Sequence, residues 1–399
     1  MYHTGLTAQS KPFSKPRRQF LVTLFATIYV LCGKVNFTNL SRYSALSERT
    51  YRRHFEDPYA FMGLNRETIA LAIAPTHFQV SAIDASFVPK SGKTTYGLDY
   101  FHNGKAGRSE RGLEISMIAV VDVDTSIGYT LSVQQTPVIE KASERTRVDA
   151  YLDHMRATVV ALPAAVRHLV GDGFYSKRKW VDGVVDSGLA AIGKLRHDAN
   201  LKYLYEGPQK KKGARRKYEG KVNLAERSRW RALGKVEPET AIYLYSAIVW
   251  SVSLKRKIQV VYLINCKHPE RPCFALLFST DLELDPTALY RAYKARFQIE
   301  FIFRDAKQFT GLTDCQARDE QKLDFHFNAA LTALNLAKYE QYLERDPEKS
   351  FVFSMASYKR RKLNQYLLER FIRKLELDET LIKSHPNYQG LCEHGVLVS

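Results

Sequence analysis

Two aspartates stand where short apolar runs give out: Asp84 follows Val80–Ile83 and Asp172 follows Leu169–Gly171, each with a small residue behind it. Carboxylates at strand ends of an α/β sheet lie at the open edge where ligands bind. Hard oxygen donors with no His or Cys cluster beside them suit Mg²⁺ or Mn²⁺ rather than zinc. Taken singly, each aspartate reads more simply as a turn former or helix cap, and Asp122 and Asp124 are assigned to that role in a hairpin turn. A longer pattern begins at Pro286, which opens a helix running to about Phe309. At about 100° per residue, with Tyr293 at zero, Arg296 falls near roughly −60°, Glu300 near −20° and Lys307 near −40°. The four share one polar stripe of both signs, which faces something charged, while Ala295, Phe297 and Phe301 turn to other faces and supply packing. An exposed ion-pair ladder has the same look, its Arg296–Glu300 pair contributing only about a few tenths of a kcal/mol.

The elements that must position these groups form a mixed α/β pattern. His77–Val88 reads as a strand ending in a loop, Leu113–Val123 and Ile127–Val133 as strands joined by the turn Asp122–Ser126, and Val148–Leu162 as a helix. His168–Gly171 then reads as a short strand, Lys177–Ser187 as a helix and Ala190–Leu195 as a strand. Three antiparallel strands followed by alternating helix and strand is the order of an RNase H-like sheet, although other α/β folds with an antiparallel edge share part of it. The alternation stops near residue 197. Residues 194–235 hold fourteen Lys or Arg against four acids, including the run Lys210, Lys211, Lys212, Arg215, Arg216 and Lys217. Strands over Tyr243–Trp250 and Ile258–Leu263 follow, so this is a basic, mostly β insertion. Its cations suit a solvated loop, and their interleaving with Tyr203, Tyr205, Tyr218 and Trp230 suits a nucleic-acid face equally. Phe274–Phe278 reads as a buried strand and the last ninety residues as helical.

Over the whole chain 60 Lys plus Arg stand against 42 Asp plus Glu, a net charge of +18 on 399 residues. That excludes an acidic or neutral surface and points to a polyanion, nucleic acid ahead of a membrane. Five scattered cysteines without a CxxC pair fit neither a disulfide framework nor a zinc site and suit a reducing cytoplasm. The apolar run Phe20–Cys32 after Lys15-Pro-Arg-Arg imitates a secretion signal. It is too short to span a bilayer, and Leu31 stands where cleavage needs a small residue, so it reads as a buried first helix. Beyond it Leu40, Tyr43, Leu46, Tyr51 and Phe55 are spaced for two short helices, with Ser47 placed to cap the second and Arg49, Arg52 and Arg53 turned outward. The pair reads as a helix-turn-helix offering its second helix to DNA, or as a solvated amphipathic pair in a helical cap. The expected layout is a helical DNA-binding domain over 1–76, an RNase H-like core over 77–196 and 273–345, the basic β-rich insertion over 197–272, and a helical region over 346–399.

Tyr293-x2-Arg296-x3-Glu300-x6-Lys307, with Ser279-Thr-Asp-Leu before it, Gln298-Ile-Glu within it and Lys307-Gln-Phe-Thr-Gly-Leu after it, reproduces a four-residue signature. It resembles the Tyr-Arg-Glu-Lys (YREK) motif of bacterial insertion-sequence transposases with an RNase H-like DDE core. Ile83-Asp84, Gly171-Asp172-Gly-Phe-Tyr and Gly193-Lys-Leu-Arg extend the resemblance over roughly residues 77–340. It implies that Asp84, Asp172 and Glu300 hold two Mg²⁺ ions, Mn²⁺ substituting, and that Tyr293, Arg296 and Lys307 bind phosphates of the transposon end. Where relatives often carry Trp after the signature Arg, this chain has Phe297. Some relatives use a β insertion to hold a hairpinned end with a base flipped onto an aromatic, for which Trp250 and Trp230 are candidates, an indole in a β domain being as readily core. The implied activity is cleavage of the element's terminal inverted repeats and joining of their 3′-OH ends to target DNA. The implied partners are double-stranded DNA and a second copy of the chain in the DNA complex, with no membrane, in a bacterial cytoplasm at the nucleoid. A DNA-binding regulator without catalysis and a nuclease without strand transfer are the alternatives.

Overall fold

The computed structural model describes residues 14–140, 142–236, 241–267, 270, 273–345 and 352–397. Four helices come first: α1 (Lys15–Val30), α2 (Phe37–Tyr43), α3 (Glu48–His54) and α4 (Phe61–Ala72). α1 buries Phe20, Leu21, Leu24, Phe25 and Ile28, and among the described residues no helix is long and apolar enough to cross a membrane. α2 and α3 are capped by Asn36 and Ser47, whose side chains accept the amides of Asn39 and Thr50, satisfying N–H groups that a helix start leaves open.

The strands are β1 (Gln79–Pro89), β2 (Asp99–Asn103), β3 (Arg108–Asp122), β4 (Ile127–Gln135), β5 (His168–Val170) and β6 (Ala190–Leu195). They continue as β7 (Leu201–Leu204), β8 (Tyr218–Lys221), β9 (Arg231–Lys235), β10 (Ile242–Ser251), β11 (Arg256–Asn265) and β12 (Cys273–Ser279). All twelve join one sheet in the order β2-β3-β1-β5-β6-β12-β11-β10-β7-β8, with β4 also on β3 and β9 on β10. β1 is antiparallel to β3 and parallel to β5, and β5 is parallel to β6. Helices α5 (Arg147–Val159) and α6 (Arg178–Asp186) lie between these strands in sequence. The basic segment therefore adds its strands to the same sheet, because β12 pairs with β6 on one side and β11 on the other.

Three local readings change. β1 does not give out at Asp84 but pairs with β3 as far as Pro89↔Gly112, so Asp84 sits mid-strand. The reason is the buried pair Phe87 and Val88, which keeps the extended run worth burying. The helix after Pro286 is two helices, α7 (Pro286–Ala295) and α8 (Gln298–Phe309). They meet in a tight turn in which the amides of Phe297, Ile299 and Glu300 reach back three residues, to Lys294, Arg296 and Phe297. β2 is absent from the sequence pattern, since its Asp-Tyr-Phe-His-Asn run buries only Phe101.

Each face of the sheet carries its own core. Val80, Ala82, Val88, Ile115, Met117 and Ala119 pack with Leu289, Ile299, Ile302 and Ala306 and with α9 (Glu320–Glu344), and the same cluster takes in the residues of α1–α3. On the other face Ile83, Ile118 and Leu169 meet Leu152, Met155, Trp180 and Val184. The chain closes with α10 (Met355–Lys374), α11 (Glu379–Lys383) and α12 (Tyr388–Cys392). Asn335 of α9 fixes the register of the layers: its amide donates to Asn65 Oδ1 at 3.0 Å and the Thr130 carbonyl at 2.7 Å, and its Oδ1 accepts the Thr130 amide at 2.9 Å.

His154 is buried between two serines, with Nδ1 3.0 Å from Ser116 Oγ and Nε2 3.0 Å from Ser132 Oγ. Burial pushes its pKa down to about 4. The unfolded imidazole takes a proton near pH 6.5 while the folded one stays neutral, so this contribution to stability is complete above pH 6.5 and is lost as pH falls toward 4. Denaturant melts of the parent are expected to lose about 2 kcal/mol between pH 6.5 and 4.5 beyond what His154→Gln loses. Equal losses in the two proteins would remove His154 from the acid response.

Candidate active site

Parallel pairing of β1 with β5 sets Ala82 opposite Val170. Two residues further along each segment stand Asp84 and Asp172, which are thus level on neighbours separated by about 4.8 Å. Asp84 shares its side of β1 with Ala82, Ser86 and Val88, the side that α7 and α8 cover. Its carboxyl is pushed up to about 7, mainly by burial and further by the charges of Asp172 and Glu300, against the Ala85 amide and Arg296. Asp172 caps the short turn Gly173–Tyr175 by accepting the Phe174 amide at 2.8 Å. A side chain at Gly171 would stand 2.7 Å from Tyr175 Cβ, which explains the glycine before the acid.

Glu300 enters from the first turn of α8 and is held at 3.0 Å by Arg296 Nη2. The pair is not an exposed ladder, because Arg296 is only 5% exposed. The guanidinium lies 5.6 Å from the Tyr293 ring centre and 4.8 Å from that of Phe297. Arg296 Nε is buried and has no partner among the described residues. Such an orphaned donor costs about 1–3 kcal/mol, a cost that the buried Arg256 Nε and Arg361 Nε also carry. Lys307 donates to Ser86 Oγ at 2.8 Å and to the Phe87 carbonyl at 3.0 Å, so it clamps α8 to the strand that carries Asp84. Phe297 and Phe301, expected to pack, are instead 47% and 43% exposed. The break at Arg296 leaves Ile299, Ile302, Phe303 and Ala306 as the buried stripe of α8 and turns the two rings to solvent.

A cleft of about 480 Å³ opens beside Asp172, walled by Lys194, Arg196, His197, Phe274 and Tyr293. Of these only Tyr293 was a candidate from the sequence, and Lys194 and Arg196 were legible only as part of Gly193-Lys-Leu-Arg. Asp84, Asp172 and Glu300 come together as hard oxygen donors, although not with all ligand atoms within 4.8 Å. Among the described residues the one trio that meets this spacing is His77, Asp122 and Asp124. Those groups are engaged with one another and their surroundings. His77 Nδ1 lies 2.7 Å from Asp122 Oδ2, and Asp124 accepts the Phe78 amide at 2.8 Å and Arg291 at 2.6 Å, so they staple the start of β1 to the turn after β3.

Arg49, Arg52 and Arg53 are exposed on α3, with Arg52 occupied by Glu48 at 2.9 Å and lying over Phe37. Lys210, Lys211, Lys212, Arg215, Arg216 and Lys217 are exposed on the β7–β8 loop, six strands along the sheet from β1 and so apart from the carboxylates. Trp230 is a core residue at 5% exposure; Trp250 is half-buried with its ring centre 5.4 Å from that of Tyr218.

Asp84 binds its proton more tightly folded (about 7) than unfolded (about 3.9), so its contribution to stability is present at low pH and is lost as pH rises through 7. At pH 8 without divalent ions, Asp84→Asn is expected to stabilise the fold by on the order of 2 to 4 kcal/mol. Adding Mg²⁺ raises the melting temperature of the parent and leaves the variant unmoved. A variant less stable than the parent in chelator would contradict this electrostatic account.

The family model described as Transposase DDE domain matches residues 75–336, about two thirds of the chain and the whole of the sheet with α7 and α8. No curated protein matches. Members of this family are transposase-type nucleases acting on DNA, and their DDE domains generally use divalent metals. The match covers more than half of the chain, and the chain belongs to the transposase DDE domain family.

Proposed function

We propose that the chain is a cut-and-paste transposase of a bacterial insertion sequence, which binds the terminal inverted repeats of its element, hydrolyses the phosphodiester at each end and joins the freed 3′-OH to target DNA. The observation that carries this reading is the convergence of Asp84, Asp172 and Glu300 beside the buried Arg296 with its unpartnered Nε. The strand succession β4-β3-β1-β5-β6, antiparallel up to β1 and parallel from β1 to β6, supports an RNase H-like core, and the Tyr293, Arg296, Glu300 and Lys307 spacing supports the YREK group.

Asp84, Asp172 and Glu300 would hold two Mg²⁺ ions, whose chemistry is to activate a water or 3′-OH and to stabilise the leaving oxygen. The other steps fall to this chain. Arg296, oriented by Glu300 and two rings, sets a guanidinium charge beside the carboxylates that favours an anionic group there. Tyr293 lines the same cleft and adds a phenol, while Lys194 and Arg196 lie along the strand that passes Asp172. Lys307 keeps α8 and β1 in register, so that Glu300 and Asp84 face one another. Residues 1–76 read the ends, the 197–272 segment grips backbone, and two copies act together because two ends must meet one target.

Asp84→Asn, Asp172→Asn and Glu300→Gln are each expected to cut cleavage and joining by more than about 100-fold, beyond the 10–100-fold of an outer-shell change, with end binding within about threefold. End DNA incubated with Mg²⁺ separates the alternatives: no cut by the parent means a regulator, and cuts without joined products mean a nuclease. Arg49→Ala and Arg53→Ala are expected to lower the preference for the cognate end over a scrambled duplex by about 1 to 3 kcal/mol at fixed salt, the discrimination of an Arg bidentate to guanine. Equal loss on both duplexes assigns them to backbone only.

A further inference from the structure

β1 leaves the site and runs into a second concavity. A cavity of about 540 Å³ opens between the linker that joins α1 to α2, the end of β1, the start of β3 and the loop after α8. Lys34, Lys90, Arg111 and Arg318 stand in its wall. Its two acids are already engaged: Glu110 accepts from Asn103 at 2.8 Å and Arg108 at 2.9 Å, and Asp314 accepts the Val35 amide at 2.8 Å. Lys90 is half-buried and donates to the Cys315 carbonyl. Lys34, Arg111 and Arg318 are exposed, and their side chains have no ion-pair partner among the described residues. Four cations held around one hollow repel each other, and an anion relieves all of them at once.

The same strand joins this hollow to the carboxylates. Lys90 follows Asp84 by six residues, about 20 Å of extended chain at roughly 3.3 Å per residue. Between them Lys307 grips Ser86 and the Phe87 carbonyl, and Phe87 itself lines the cavity. Each strand of a duplex carries closely spaced charges, so a phosphate seated here lies a few phosphates away from one at Asp84. Lys34 lies on the linker to α2, so the hollow borders the N-terminal helices as well as β1.

We propose that this cavity is a second phosphate site, in which Lys34, Lys90, Arg111 and Arg318 grip the backbone of the duplex a few phosphates away from the phosphodiester held at Asp84, Asp172 and Glu300. It rests on the reading of those three as a DNA-cutting site. A free phosphate ion has the same chemistry, and the test separates the two sources.

The test compares the parent with the Arg111→Ala/Arg318→Ala double variant on duplexes carrying the element's terminal repeat, each with one neutral methylphosphonate linkage stepped along the strand. Binding by the variant is expected to weaken roughly tenfold at 0.15 M salt, and its log–log salt slope to become shallower by about 1 to 2, near 0.9 for each phosphate that is no longer neutralised. Its cutting rate at saturating protein stays within about twofold. One linkage position a few phosphates from the cut weakens the parent and leaves the variant unchanged. The Arg111→Lys/Arg318→Lys variant restores the slope, and with the linkage scan of the parent it keeps the test decisive should the alanine variant melt early. Unchanged affinity and slope in an alanine variant whose parent cuts DNA overturns the second site and leaves the function standing. A parent that shows the slope and the sensitive linkage yet never cuts overturns the function and leaves the site. Calorimetric binding of inorganic phosphate to the parent alone, with duplex affinity equal in both proteins, assigns the hollow to a free anion and overturns the proposal.

Discussion

The seating of α8 on the sheet is the contact on which the site depends. Asp84 and Asp172 are fixed by strand pairing alone, but Glu300 belongs to a helix and reaches them only because Ile299, Ile302 and Ala306 are buried to zero exposure against the sheet. The approach is close enough to demand glycine on the strand below: a Cβ at Gly128 would stand 3.0 Å from Gln298 Cβ and 3.1 Å from Ile302 Cδ1. At such distances a neighbour must give way, and the neighbour here is the helix turn that bears Glu300. Apolar burial thus draws a carboxylate toward two others of like charge, and the few kcal/mol gained by burying those side chains offset the repulsion that raises Asp84.

The terminal helices secure this arrangement from outside the matched region. Phe325 of α9 lies 4.1 Å, centre to centre, from Phe55 and 6.2 Å from Phe20, so the helices before the sheet share a core with the long helix behind it. Lys359 of α10 donates to the carbonyls of Ile28 and Phe309, both at 2.8 Å, tying together the last turns of α1 and α8. Two open helix ends are capped by one buried ammonium, whose pKa burial pushes down to about 8. The C-terminal ends of α1 and α8 are thereby held to one side chain of α10.

Sequence periodicity disclosed much of this because period and spacing survive without knowledge of partners. The strand runs over β1, β3 and β4, the acid after β5 and the polar stripe of Tyr293, Arg296, Glu300 and Lys307 all follow from local pattern. What stayed hidden was set by contacts distant in sequence. Asp84 follows an apolar run that gives out, yet the strand read over His77–Val88 is the one that forms, paired on through Phe87↔Glu114 and Val88↔Leu113. The break at Arg296 follows neither a proline nor a glycine. The straight-helix angles consequently assigned Phe297 and Phe301 to packing, when the break gives that work to Ile299 and Ile302.

The two features that look least favourable for the folded chain lie side by side. Asp84 is held where its ionised form is disfavoured, and Arg296 buries a donor that nothing in the fold accepts. Neither defect is forced by packing alone, since an amide at one position or a shorter side chain at the other would remove it. Asp84 feels the charges of both Arg296 and Glu300, and Arg296 is held to Glu300 at 3.0 Å. Such preorganised polar groups give most of their effect when the reacting charge arrives, because nothing has to reorient at that moment. The strain at Asp84 and Arg296 and the capacity proposed for this site to act on DNA are therefore one property, which selection for stability alone would have erased.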